Sequence, residues 1–235
     1  MKASLVAALA TVVPSLGFGA TIIQVQNFSF VPNGSQTQTF DKFDTSLGTL
    51  ESITVSVVLN KTGGRFEVDN DSEESGTVDI THSVVGSISA SPGTALLRGD
   101  FTQIGSNGTL NASNNLNGQA VAATTGDDIN SFNATGAGDY IIFQPGNSSG
   151  SDSGEIGSLF FGGYEGTGTF TTTVNANQIS SATGLGGLQQ AFTVSNVSGT
   201  VTVTYNYTAA VPEASSSLLG AIGTLLLVRR RRDRR

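Results

Sequence analysis

Apolar and polar residues alternate in several short runs, and a two-residue period is the signature of a half-buried β-strand, whose successive side chains point to opposite faces. Over 52–59, Ile53, Val55, Val57 and Leu59 alternate with Thr54 and Ser56. Val78, Ile80, His82 and Val84 alternate with Thr77, Asp79, Thr81 and Ser83. Near the other end, Phe170, Thr172 and Val174 share one face, and Val201, Val203, Tyr205 and Tyr207 make a second stripe. Ile23, Val25, Phe28 and Phe30 open the first strand region, with a change of face between Val25 and Phe28 that predicts a bulge. The segment 103–138 is rich in Asn, Gly, Ser and Ala and reads as long loops with one weak strand around 120–123. No repeat of fixed period interrupts this pattern. Burying one face of each sheet then predicts an all-β fold: a single antiparallel β-sandwich, jelly-roll-like or Greek-key, over 21–208, with long Gly/Asn/Ser-rich loops. Its core stripes are Ile53-Val55-Val57 and Val201-Val203-Tyr205.

The two ends break the pattern. Met1 and Lys2 precede an apolar run over 3–13, then Pro14 and the small residues Ser15, Gly17, Gly19 and Ala20, which predicts a secretory signal helix over 1–20, cut after Gly19 or Ala20. At the other end, an apolar stretch over 214–228 precedes six arginines in 229–235, broken by Asp233. As a helix, 214–228 reaches only about 22 Å, short of a hydrocarbon core of roughly 30 Å. The arginines hold that end on the cytoplasmic side, so the arrangement suits a pause at the inner membrane followed by a cut.

Val211-Pro212-Glu213-Ala214, the short hydrophobic helix and the arginine cluster together resemble the PEP-CTERM sorting signal of Gram-negative, biofilm-forming bacteria, with Ala214 standing where a second proline is usual. The resemblance implies an exosortase as processing partner, transient insertion in the inner membrane, cleavage near Pro212-Glu213, and release to the cell surface or extracellular matrix. A second resemblance covers most of 21–208. The runs TFDKFDTSLGTLESITVSV, RFEVDNDSEESGTVDITHSVVGSISA, YEGTGTFTTTVNA and GTVTVTYNY are similar to the choice-of-anchor E domain, a β-rich extracellular unit joined to different C-terminal anchors. Its motifs are strands and turns without a catalytic signature, so it implies a fold and a location.

Composition sharpens the function classes. Between the two cuts only Lys42, Lys61, Arg65 and Arg98 stand against 16 of the 18 acidic residues, a net charge of −12. Such a balance repels nucleic acid and anionic membrane surfaces. With no cysteine there is neither disulfide nor thiol chemistry. His82, the sole histidine, falls on the apolar side of its strand, and no Gly-x-Ser-x-Gly elbow accompanies it. A paired-carboxylate glycosidase usually works in an aromatic-lined cleft, whereas this chain has no tryptophan and four tyrosines. The expectation is a noncatalytic surface or matrix protein, structural or adhesive among exopolysaccharide, with a carbohydrate-binding module second and a polysaccharide hydrolase third.

Two constellations invite chemistry. Asp69, Asp71 and Glu73 place oxygen ligands at alternate positions, as a hard cation such as Ca²⁺ requires. The competing reading is a solvated acidic hairpin tip between strands at 66–68 and 78–84. Tyr140, Tyr164 and Tyr207 are candidate platforms on which sugar rings stack. Arg98-Gly99-Asp100 matches the integrin-ligand tripeptide but also reads as a plain turn. Asn-x-Ser/Thr triplets at Asn107, Asn133, Asn147 and Asn196 are glycosylation sequons by pattern.

Overall fold

The computed structural model describes residues 19–106, 108–124, 138–193 and 196–210. The signal helix, the sorting motif Val211, Pro212, Glu213, Ala214 and the C-terminal hydrophobic helix lie outside the described residues, apart from Gly19 and Ala20, which already belong to a strand. Eleven strands follow in order: β1 Gly19–Phe30, β2 Gly34–Asp41, β3 Gly48–Thr62, β4 Arg65–Asn70, β5 Gly76–Ala90, β6 Leu110–Val121, β7 Tyr140–Phe143, β8 Ser148–Glu155, β9 Thr169–Thr183, β10 Leu188–Thr193 and β11 Asn196–Ala209. All the strand pairings are antiparallel.

Two four-stranded sheets, β1-β11-β3-β8 and β2-β9-β5-β6, enclose the main core. Ile53, Val55, Val57, Leu59, Val201, Val203 and Tyr205 come from one; Phe40, Val84, Ile88, Leu110, Phe170 and Val174 come from the other. Both predicted core stripes are fully buried. A three-stranded sheet, β10-β4-β7, repeats the order β11-β3-β8, and the chain runs directly from β3 to β4, from β7 to β8 and from β10 to β11. It is therefore the bent continuation of the first sheet. The bend in β3–β4 falls at Gly63 (φ +62°) and Gly64 (φ +129°), left-handed conformations that a side chain disfavours. Beyond it, Phe66 and Val68 close a second core with Val78, Ile80, Val121 and Ala182. Strand β5 spans both cores, and His82 sits between them.

Several expectations are corrected. Strand β1 pairs with β11 in unbroken register, from Gly19 opposite Thr208 to Phe30 opposite Val197, so it has no bulge. Its change of face arises because Ile23 and Val25 point outward, while Ile22, Phe28 and Phe30 pack against the core. The segment expected to be mostly loop contains β6, whose backbone pairs with β5 while Leu110, Ala112 and Val121 supply its buried positions. Strand β8 carries no large apolar residue, because its glycines admit close packing: a Cβ on Gly150 would lie 2.5 Å from the Asn111 carbonyl oxygen on β6. Finally, β4 and β5 do not form a hairpin. They belong to different sheets, and the acidic segment between them is a crossover from one layer to the other.

Candidate functional site

The inward face of β3 continues one step past Leu59 to Lys61, and that of β5 carries His82 between Ile80 and Val84. Both side chains are fully buried. At the bend, where backbone carbonyls leave the regular ladder, the Lys61 Nζ donates to the carbonyl oxygens of Gly63 (3.3 Å) and Gly146 (3.4 Å) and lies 3.1 Å from His82 Nδ1. Three acceptors match the three protons of an ammonium group. That assigns the His82 proton to Nε2. The Gln178 amide nitrogen lies 3.2 Å from His82 Nε2, and a hydrogen bond with the Thr193 backbone also reaches the imidazole and favours its charged form. Lys61, His82 and Gln178 thus form one buried polar cluster, with Phe66 edge-on to the imidazole at 6.4 Å.

No described carboxylate pairs with Lys61. Burial pushes its ammonium below the usual lysine range. Burial, and then the Lys61 charge, likewise hold the His82 imidazole below its ordinary value, so it is neutral at neutral pH. Over Lys61 lies a shallow, polar cavity of about 270 Å³, lined by Asn60, Lys61, Thr62, Asn147, Ser148 and Ser149. The arrangement can carry a proton between buried groups and can satisfy the carbonyls of a bent sheet. Sequence reasoning found His82 in its apolar stripe but ended the β3 stripe at Leu59; the same alternation, read one step further, points to Lys61.

The predicted site residues are dispersed. Asp69 is 3% exposed on β4, whereas Glu73 is exposed in the crossover. That crossover is organised by Asn70, whose Nδ2 donates to the carbonyls of Glu74 and Ala122 and whose Oδ1 accepts from the Ser72 N–H. Among the described residues no group of three or more His, Asp or Glu side chains converges as metal ligands, so Asp69, Asp71 and Glu73 are not brought together. Tyr164 is sealed in the main core, its hydroxyl donating to the Ala95 carbonyl at 2.7 Å and its ring against Phe170, and cannot stack on a sugar. Burial drives its phenol well above the ordinary range. Tyr207 leans on Phe43 with centroids 5.1 Å apart. Tyr140 is half-buried on β7, where burial and its hydrogen bond to Glu67 raise its phenol.

The Arg98-Gly99-Asp100 segment is a closed turn. Phe101 N–H donates to the Arg98 carbonyl (3.0 Å), and Asp100 Oδ1 accepts from both the N–H and the hydroxyl of Thr102. Arg98 Nη2 donates to Asp152 Oδ1 at 2.6 Å, and Gly105 N–H donates to Asp152 Oδ2 at 2.7 Å. Burial opposes the Asp152 charge, but the Gly105 and Arg98 bonds outweigh it and hold the carboxyl below its ordinary value. Arg98 is therefore committed to the fold, unlike the free arginine an integrin-type ligand presents.

No protein-family model matches the chain, and no curated protein matches it. Among solved structures it is similar to infectious bursal disease virus, Gx strain, at 11% identity and a TM-score of 0.22, over 92% of this chain and 49% of that one. The VP2 subviral particle of the same virus is 14% identical with a TM-score of 0.18, over 92% and 49%. Turnip yellow mosaic virus is 11% identical with a TM-score of 0.16, over 91% and 94%. The chain spans about half the length of the bursal disease virus chains it matches. At these TM-scores the likeness carries no argument about fold or function.

Proposed function

We propose that this chain is a noncatalytic, exported protein of a bacterial surface or extracellular matrix, with a structural or adhesive role among exopolysaccharide, and that an exosortase processes it at Val211-Pro212-Glu213-Ala214. The observation that carries the reading is the chemistry of the outer sheet faces. On one, Thr37, Thr173 and Ser89 align across three strands, with the two threonine hydroxyls 2.9 Å apart, beside a row of Ser35, Asn175 and Ser87. On the other, Thr202, Ser56 and Ser153 form one row and Thr204 and Thr54 the next, the two rows reaching exposed Val25 and Ile23 on the edge strand β1. Hydroxyls and amides repeated at the strand spacing of about 4.8 Å offer a hydrated hydrogen-bonding surface to a polymer of sugars. The titratable groups of greatest catalytic interest, Lys61 and His82, are spent on one another and on backbone carbonyls. A carbohydrate-binding module is the second reading, favoured by the exposed aromatic ring of Phe101.

A deletion strain tests the leading reading: biofilm cohesion is expected to fall, with the tagged protein found in the matrix of the complemented strain. Unchanged cohesion, or a protein confined to the cytoplasm, refutes it. Processing is tested separately by intact mass. Surface protein that still contains Arg229–Arg235 would overturn the sorting proposal, and replacing Pro212-Glu213 is expected to leave uncut precursor in the membrane.

A further inference from the structure

Phe101 combines features that folding alone disfavours. Its backbone has φ +65°, a left-handed conformation that glycine or asparagine adopts cheaply and a bulky aromatic does not. The residue is 63% exposed, so little of the ring's burial energy is recovered. Yet the turn that holds it is rigid. Besides the Arg98–Asp152 and Asp100–Thr102 bonds, Arg98 N–H donates to the Thr102 carbonyl and Ile104 N–H to the Leu96 carbonyl, each at 2.9 Å. The neighbouring 3-10 turn, Ser158–Gly163, is tied on by the Gly157 N–H to the Leu97 carbonyl (2.9 Å). That turn brings up Phe160, which packs on the main core and meets the Phe101 ring edge-to-face at 5.9 Å, and Leu159, 83% exposed. A strained, exposed residue over-determined by its surroundings points to binding.

We propose that Phe101 is a stacking platform for a pyranose ring of a neutral polysaccharide, positioned by the locked turn 98–102 and backed by Phe160. The inference rests on the adhesive reading above and names its contact. The apolar patch is one exposed ring backed by Phe160, far below the roughly 800 Å² per partner that a stable protein interface buries, but it matches the apolar face of one sugar ring. The local charge disfavours an acidic polymer: Arg98 is neutralised by Asp152, and the turn carries a second carboxylate, Asp100, immediately before Phe101 in sequence.

The test titrates the protein with cellohexaose, laminarihexaose, maltohexaose and mannohexaose, with oligogalacturonate as the acidic counterpart, by calorimetry and by ring-proton shifts of Phe101. Saturable binding of at least one neutral oligomer is expected. Phe101→Gly should weaken it about tenfold or more while leaving the melting temperature unchanged or raised, because glycine relieves the backbone. Phe101→Trp should keep binding. Absence of binding by all four neutral oligomers, equal binding by Phe101→Gly, tighter binding of oligogalacturonate, or a melting temperature lowered by Phe101→Gly would each overturn the proposal. So would self-association in sedimentation that Phe101→Gly abolishes without any sugar binding, which would assign the ring to a second copy of the chain. The deletion strain decides the adhesive reading independently: a cohesion defect together with failed sugar binding removes Phe101 from the account and leaves that reading standing.

Discussion

A buried lysine with no described carboxylate beside it would ordinarily be among the most costly residues in a fold. Lys61 is tolerated because the bent sheet leaves carbonyls in need of a donor, and its ammonium supplies Gly63, Gly146 and His82 at once. Removing that donor strands buried acceptors. Lys61→Met, similar in volume, is expected to lose about 1–3 kcal/mol in denaturant unfolding at neutral pH, although methionine is the more apolar residue. The pair also sets a pH dependence. The folded state binds a proton to His82 less readily than the unfolded chain, whose imidazole has the ordinary value of 6.5. As pH falls below that value the unfolded chain gains the proton first, so stability declines with acidification. Lys61 acts in the same direction at high pH: its folded value lies below the ordinary 10.5, so stability rises as pH climbs toward that value. Unfolding midpoints measured across pH should show both slopes, with His82→Gln abolishing the acid one and Lys61→Met the alkaline one.

At the level of strands, legibility followed the contrast between faces. Strands β3, β5, β9 and β11 each bury one face and wet the other, so their two-residue period was plain in the sequence. Strand β8, SSGSDSGE, offered no such contrast. Its inner positions are filled by the absence of side chains, with Gly150 against the β6 backbone, and a period of small residues looks like a loop. Strand β6 was hidden for another reason: as the edge of its sheet it exposes Asn and Gly where a central strand would carry Val or Ile. Sequence adjacency misled at β4 and β5, since nothing local distinguishes a hairpin from a crossover between layers. Of the buried pair, His82 stood out because its stripe resumes at Val84, whereas Lys61 ends its stripe and reads as a terminus. The packing of β8 on β6 is directly testable. Gly150→Val is expected to cost about 1–3 kcal/mol by overpacking, seen as a lowered melting temperature. Gly146→Ala, with open space around its Cα, should stay within about 0.5 kcal/mol of wild type.

At the largest scale, the described residues form one continuous layer, bent across its width, facing a second layer that spans both sides of the bend. The two halves are unequally held. The main core draws on both four-stranded sheets, while the second is closed by short strands β4, β7 and β10. Regions of few buried apolar contacts open locally before the rest. Native-state amide exchange should therefore be faster in β4, β7 and β10 than in β3 and β11. Uniform protection across all five strands would mean that the bend does not divide the molecule into separate cooperative units.

The placement of β11 has a mechanical consequence. It is an interior strand, paired with β1 along one side and β3 along the other, and Ala210 follows directly from it, its N–H donating to the Leu47 carbonyl. Any tether continuing from Ala210 and opposed by drag on the far end of the body pulls β11 along its own axis. The rungs on both flanks are then loaded together in shear instead of parting one at a time like a zipper. A pull between Gly19 and Ala210 would do the opposite, peeling β1 away from Gly19 onward, because Gly19 sits opposite Thr208. The same body is thus strong when hung by β11 and weak when Gly19 and Ala210 are drawn apart.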